Sequence, residues 1–152
     1  MKQNKFFNEM DRIGRAWSMK HREHEKLKEE IIATKGWDSD ELKSWYEEEK
    51  RMEFPFSAGA SKAFRAWEYS EGDEVEMSDF CWEREVDDFV KTLCKAGLDS
   101  FVFTNQSTAV MENIHQFVAA GCTLEGPCTI TKKRDRWGEE TEEQVIGLRF
   151  RL

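Results

Sequence analysis

The sequence predicts an α/β (α+β) chain: N-terminal helices, then an α-β-α-β-β run that forms a small mixed sheet of three or four strands covered by helices. Three observations predict it. Apolar residues recur at helical spacing through about residue 72. The period then shortens at Ser100–Thr104, a short aromatic and β-branched run. The C-terminus alternates strictly, with Ile146, Leu148, Phe150 and Leu152 inward and Gly147, Arg149 and Arg151 outward.

Between Phe6 and about Lys35 there is no Pro, and Gly14 is the only Gly. Phe6, Met10, Ile13, Trp17, Lys20, His24, Leu27 and Ile31 mark one helical stripe, interrupted by Lys20 and His24. Gly36 is a stop. Asp38 with Glu41 reads as the capping start of a second helix with Leu42, Trp45, Tyr46 and Met52 inward, ending before Phe54-Pro55-Phe56. Ser57 caps a third helix carrying Ala60, Ala63, Phe64 and Trp67, with Gly72 as its stop. Residues 73–78 read equally as a loop or a short edge strand.

Ser78 or Asp79 is the expected cap of a fourth helix with Trp82, Val86, Phe89, Val90 and Leu93 facing the core, and Gly97-Leu98 is a Schellman stop. Asn105 or Ser107 caps a fifth, with Val110, Met111, Ile114, Phe117 and Val118 inward and Gly121 at its end. Cys122 to Thr131 then alternates as a strand bent at Gly126-Pro127, and Arg134–Gly138 is a turn. The helix between the first two strands of this run favours a parallel pair with a right-handed crossover, and the last two strands an antiparallel hairpin.

A chain of 152 residues fits one domain, here a helical part (1–72) and a mixed part (73–152). Its 39% hydrophobic content, with eleven Phe and six Trp, supplies a core. The net charge of −8 disfavours direct nucleic-acid binding and attraction to anionic membranes, since both need clustered Lys and Arg. No apolar run approaches a membrane span and the first residues lack a signal-like apolar stretch, so a cytoplasmic protein is expected. Cys81, Cys94, Cys122 and Cys128 lie in apolar stretches without a C-x-x-C pair and read as reduced core thiols.

Few residues suggest chemistry. His21-Arg22-Glu23-His24 sets two imidazoles at i, i+3 with Glu25 beside them, but no third ligand is visible, so no metal is expected. Cys122 and Cys128 read as core, and His115 lacks an acidic partner for cysteine catalysis. No glycine-rich phosphate loop and no nucleophile elbow is present, so no catalytic residue and no cofactor is assigned.

Charge is the most informative feature. Glu68 to Asp88 holds ten acids against Arg84 alone, a balance of −9 in 21 residues. Glu139, Glu140, Glu142 and Glu143 form a second cluster beside Lys132-Lys133-Arg134-Asp135-Arg136. Asp73, Glu74, Glu76, Asp79, Glu83, Arg136, Trp137, Glu139 and Glu140 are the candidate partner-binding residues. The expected function is a non-enzymatic acidic module that binds a basic protein. A homodimer through the first helix is a further expectation.

Two resemblances add context. The α-β-α-β-β order resembles the C-terminal half of Gcn5-related acetyltransferases. That resemblance implies a pyrophosphate loop with Gly at the start of the helix at Phe80–Ala96, where this chain reads Ser-Asp-Phe-Cys-Trp-Glu. Separately, Cys81-Trp82-Glu83-Arg84-Glu85, Ala96-Gly97, Ser107-Thr108 with Val110-Met111, Ala120-Gly121-Cys122 and Arg136-Trp137-Gly138-Glu139-Glu140 resemble an uncharacterised bacterial family of phages and mobile elements, over about residues 80–150. This resemblance brings no activity. The setting it implies is one in which small acidic proteins act as inhibitors of nucleic-acid enzymes, anti-CRISPR proteins among them.

Overall fold

The computed structural model describes residues 3–152. Five helices and four strands follow in the order α1 (Lys5–Lys35), α2 (Asp40–Glu49), α3 (Ala58–Tyr69), β1 (Val75–Met77), α4 (Glu83–Lys95), β2 (Ser100–Phe103), α5 (Val110–Ala119), β3 (Thr123–Arg136) and β4 (Glu139–Arg151). This is an α+β fold, helices first. Two compact units result among the described residues: 8–55, and 56–152 together with 3–7. The change near residue 72 read from the sequence falls inside the larger unit. No helix among the described residues is long and apolar enough to cross a membrane.

In the larger unit the sheet order is β1-β2-β4-β3. The parallel pair is β1–β2, joined through α4, with Val75 opposite Phe101 and Met77 opposite Phe103. The sequence pointed instead to a parallel neighbour for β2 across α5. That pairing is absent because β4 inserts between β2 and β3, antiparallel to both. Residues 73–78, left undecided by the sequence, do contain an edge strand.

The core is aromatic. Phe101 and Phe103 from β2, Phe150 from β4, Phe89 from α4 and Phe117 from α5 are all at most 2% exposed. Phe117 lies 5.1 Å from Phe101 and 5.3 Å from Phe103 and Phe150, ring centre to ring centre, mostly edge to face. That is the geometry aromatic quadrupoles favour. Phe89 meets Phe101 edge-on at 5.3 Å, which holds α4 to the same face. Phe7, at the start of α1, stacks on Trp67 of α3 at 4.9 Å. It is fully buried, so the inward residue of that first turn is Phe7 and not Phe6.

Several helix starts differ from the sequence expectation. Ser39, not Asp38, caps α2, its hydroxyl oxygen accepting the Leu42 N–H at 3.2 Å. Ser57 caps α3 as expected, and that helix stops at Tyr69, before Gly72. The cap of α4 is Trp82 rather than Ser78 or Asp79, with the Glu85 carboxylate accepting the Trp82 N–H at 3.0 Å. Trp82 is therefore turned outward, 56% exposed. Ala109 precedes α5 without a side-chain cap. Met111 and Val118 are exposed; that helix buries Phe117, as expected, together with Asn113, which was not expected inward. Asn113 explains the exchange: its amide accepts the Cys81 N–H at 2.9 Å and donates to the Cys81 carbonyl at 2.8 Å, so a polar residue satisfies buried backbone that a methyl group could not.

The expected Schellman stop closes α4: Leu98 N–H bonds Leu93 O at 3.2 Å and Gly97 has φ 74°. The bend in β3 is a bulge between Leu124 and Gly126. The C-terminal hairpin is longer than expected. Arg134–Arg136 remain in β3, and the turn is only Trp137-Gly138, with φ 58° and 83°. Positive φ at both residues is the two-residue type I′ turn, whose twist suits a hairpin. Along β4 Phe150 is buried, Ile146 is 67% exposed and Gly147 is buried. The expected alternation thus fails at the outer end, where Ile146 sits on the two-stranded arm beyond β2.

Cys81 and Cys122 are core thiols, but Cys128 is half-buried and Cys94 exposed. Burial pushes the Cys81 thiol up to about 12 and Cys122 to about 11. Limited labelling of native protein with a maleimide should therefore modify Cys94 first and leave Cys81 and Cys122 until the chain unfolds. Equal labelling of all four thiols would contradict this packing.

A second outcome follows from the α3–α4 contact. A Cβ at Gly59 would sit 2.2 Å from the Glu85 carbonyl oxygen. Gly59→Ala gains helix propensity of about 1 kcal/mol at most, yet overpacking against backbone costs about 1–3 kcal/mol. Urea unfolding should show a net loss. A stabilised Gly59→Ala would mean the helices are not in close contact there.

Candidate functional site

Four sets of side chains outside the aromatic core could carry function. The first lies on the other face of the sheet. Strand parity puts Glu76 of β1, Val102 of β2 and Arg149 of β4 in one row, opposite the face that receives α4 and α5. Arg149 grips Glu74 with two bonds, Nε at 2.9 Å and Nη2 at 2.7 Å, a fork-to-fork pair. The Glu74 bond holds the Arg149 guanidinium more firmly protonated than usual. Lys132 of β3 reaches the Glu76 carboxylate at 2.5 Å, and the Thr104 hydroxyl donates to the same oxygen at 2.6 Å. Glu71 accepts the Lys133 N–H at 2.7 Å. A shallow cleft of about 340 Å³ runs between these segments, lined by Glu74, Thr129, Thr131, Lys132 and Arg149.

A second set joins α3 to the start of α4. Lys62, only 11% exposed, bonds the Glu85 carboxylate at 2.8 Å and the Phe80 carbonyl at 2.6 Å, with Asp79 at 3.7 Å. Burial pushes the Glu85 carboxyl up, but the Lys62 bond and the Trp82 N–H outweigh it, leaving Glu85 below the usual glutamate range.

The hairpin tip is the third. Trp137 is fully exposed, and Arg136, Glu139 and Glu140 beside it are exposed too. A bulky residue at positive φ is uncommon and carries backbone strain. Trp137 gains no packing in return. Asp135 supports the turn by accepting the Gly138 N–H at 2.9 Å. Along the arm the strands bring opposite charges together, Lys132 with Glu143, Lys133 with Glu142 and Arg136 with Glu139.

The fourth set lies in the smaller unit. His21 Nε2 stands 3.0 Å from one Glu49 oxygen and His24 Nε2 3.2 Å from the other. Glu25 lies on the same side, with ligand atoms of His21, Glu25 and Glu49 all within 4.8 Å of one another. His24 is buried, its ring stacked on Trp45 at 4.4 Å, and its carbonyl accepts the Trp45 indole N–H at 2.6 Å. His21 stacks on Trp17 at 4.8 Å. Nothing in the pattern from His21 to Glu25 names Glu49, which α2 brings in from 25 residues beyond His24. The one sequence signal was the interruption of an apolar stripe by His24.

The nine residues singled out from sequence do not form one patch. Glu74 and Glu76 are engaged within the fold, and Asp79 lies near Lys62. Asp73 and Glu83 are exposed, as are Glu68, Asp87 and Asp88; none of these five has an ion-pair partner among the described residues. Arg136, Trp137, Glu139 and Glu140 do sit together, at the tip. The first turn of α4, where the acetyltransferase resemblance implies a pyrophosphate, carries Glu83 and Glu85.

Fold and surface together define a small α+β protein with a four-stranded mixed sheet, an internally paired charged face and an exposed aromatic hairpin tip. The chain belongs to the family described as a domain of unknown function, DUF7698, whose model matches residues 59–152. No curated protein and no solved structure matches it. The match begins within α3, so α1, α2 and the histidine cluster lie outside it.

The Lys62–Glu85 pair is directly testable. Removing one member of a buried pair strands the other, at a cost of about 3–5 kcal/mol, so Lys62→Met should lower stability by about that much at neutral pH. A carboxylate whose folded pKa is depressed contributes stability that is full above its unfolded value of about 4.3 and is lost as pH falls through the lower folded value. Glu85→Gln should flatten that acid limb in denaturation measured between about pH 5 and pH 2. An unchanged acid limb would mean Glu85 is not held by Lys62.

Proposed function

We propose that this protein is a non-catalytic binding module that engages a basic protein through the tip of the β3–β4 hairpin. Trp137 carries the reading. A tryptophan held at positive φ, fully exposed and packed on nothing, costs the free protein backbone strain. Strained residues of this kind cluster where chains bind, and tryptophan is the side chain most enriched among the residues that dominate interface energy. Glu139 and Glu140, the exposed residues that follow the turn, add negative charge beside it.

Charge favours the same partner. Residues 56–152 hold 18 acids against 11 Lys and Arg, a balance of −7, whereas the first 55 residues are nearly neutral. Exposed Asp73, Glu83, Asp87 and Asp88 add a long-range field that speeds encounter with a basic protein and repels nucleic acid. Proteins that handle nucleic acid present the densest Lys and Arg surfaces, so an inhibitor of such an enzyme, of the anti-CRISPR kind carried by phages or mobile elements, is the form of the proposal.

Trp137→Asn separates function from folding. Asn-Gly is the favoured pair for a type I′ turn, so this variant should be at least as stable as the parent. Affinity capture from native host lysate at low and physiological salt, with wild type, Trp137→Asn and the Glu139→Lys/Glu140→Lys double variant, should recover a basic protein with wild type only, and less of it at higher salt. A partner retained equally by all three proteins, or no partner dependent on these residues, would overturn the reading.

A further inference from the structure

We propose that His21, His24, Glu25 and Glu49 form a binding site for a zinc-class divalent cation, independent of the hairpin tip. The first argument is ligand identity and placement. Two imidazole nitrogens and two carboxylates are the donor types that suit Zn²⁺. His21, His24 and Glu25 come from one face of α1, at i, i+3 and i+4, and Glu49 comes from α2. Ligand atoms of His21, Glu25 and Glu49 lie within 4.8 Å of one another, and His24 Nε2 lies 3.2 Å from the second Glu49 oxygen, so two consecutive helices bring a three-ligand set together with His24 at its edge.

The second argument is spacing. Two ligands bonded to tetrahedral zinc at about 2.0–2.1 Å stand roughly 3.3 Å apart. His21 Nε2 stands 3.0 Å from Glu49 Oε1 and His24 Nε2 3.2 Å from the other oxygen, Oε2, so a cation shared by both imidazoles is one that Glu49 chelates through both oxygens. The third is an unmet demand. His24 Nε2 and Glu49 Oε2 are both buried, and neither has a hydrogen-bond partner although they are 3.2 Å apart. Their approach is not aligned for an N–H donated to oxygen. Buried polar atoms are almost always satisfied, and two unsatisfied ones side by side mark a place for a further atom. A cation that accepts both lone pairs answers both at once.

The surroundings fix the ligands. Stacking on Trp45 and the Trp45 bond to its carbonyl lock the His24 ring, and Trp17 stacks on His21. Lys28 lies over the Trp45 and Tyr46 rings at 4.6 and 5.2 Å, where the ring faces attract its ammonium. His21, Glu25 and Glu49 are all half-buried, so solvent reaches the cluster.

The test is titration of the full chain, purified with chelator and freed of metal, with Zn²⁺ alone. Calorimetry should give one site per chain with Kd below about 100 µM. Co²⁺ should develop the visible absorption of a four-coordinate site, and Zn²⁺ should abolish it. Glu49→Gln and His24→Asn should each weaken binding at least about tenfold, a loss typical even of the groups that only orient a ligand, while His115→Gln leaves it unchanged. If either variant fails to fold by circular dichroism, Glu25→Gln should still weaken binding. Wild type that binds Zn²⁺ no more tightly than Glu25→Gln, or shows no Co²⁺ absorption, would reduce the cluster to a carboxylate bridging two imidazoles and overturn the proposal.

Discussion

The larger unit depends on Phe117. Its ring touches Phe101, Phe103 and Phe150, so one side chain from α5 joins two strands that are far apart in sequence. Phe89 approaches Phe101 from α4 and closes the set. Edge-to-face packing is directional, and this fixes the azimuth of both helices more tightly than aliphatic contact of equal area could. With Phe101, Phe103 and Phe150 turned to the helices, strand alternation turns Val102 and Arg149 to the opposite face, in register with Glu76 of β1. The ion pairs on that face follow from the aromatic face by strand parity alone.

Much of this was legible in the sequence, for identifiable reasons. Helix existence came from periodicity, and the stops from Gly36, Gly97 and Gly121, each at positive φ. What sequence could not supply was pairing. Nothing local distinguishes β4 inserting between β2 and β3 from β3 lying beside β2, because both satisfy a right-handed crossover and a terminal hairpin. Helix starts were misplaced where the cap was made by backbone or by a residue outside the usual set, as with Trp82, whose N–H is satisfied by Glu85. The inward face of α5 was misread because Asn113 is polar, and its value depends on Cys81, 32 residues away.

The candidate sites divide along the same line. Trp137 and the acids near it could be read from the chain, since a turn and its flanking charges are local. The acidic run 68–88 could be counted but not interpreted. Arg149, Lys132 and Lys62, which engage Glu74, Glu76 and Glu85, lie as many as 75 residues away or on another element. Charge density in sequence therefore overstated the charge open to a partner at Glu74 and Glu76, and understated the order that those carboxylates impose on β3 and β4. The His21–Glu49 contact was invisible for the same reason.

The bulge in β3 has a consequence for how the chain behaves in company. At 14 residues β3 is the longest strand, and it lies at the rim of the sheet with no strand on its outer side, where Glu71 accepts the Lys133 N–H. A rim of that length is a template on which a second chain could add a strand and seed a fibre. Three devices blunt it: the kink between Leu124 and Gly126, Pro127 with no N–H to offer, and the run Lys132-Lys133-Arg134 along the outer half. The basic cluster that looks paradoxical in so acidic a protein thus serves colloidal solubility. It keeps the longest open strand from recognising its own copy.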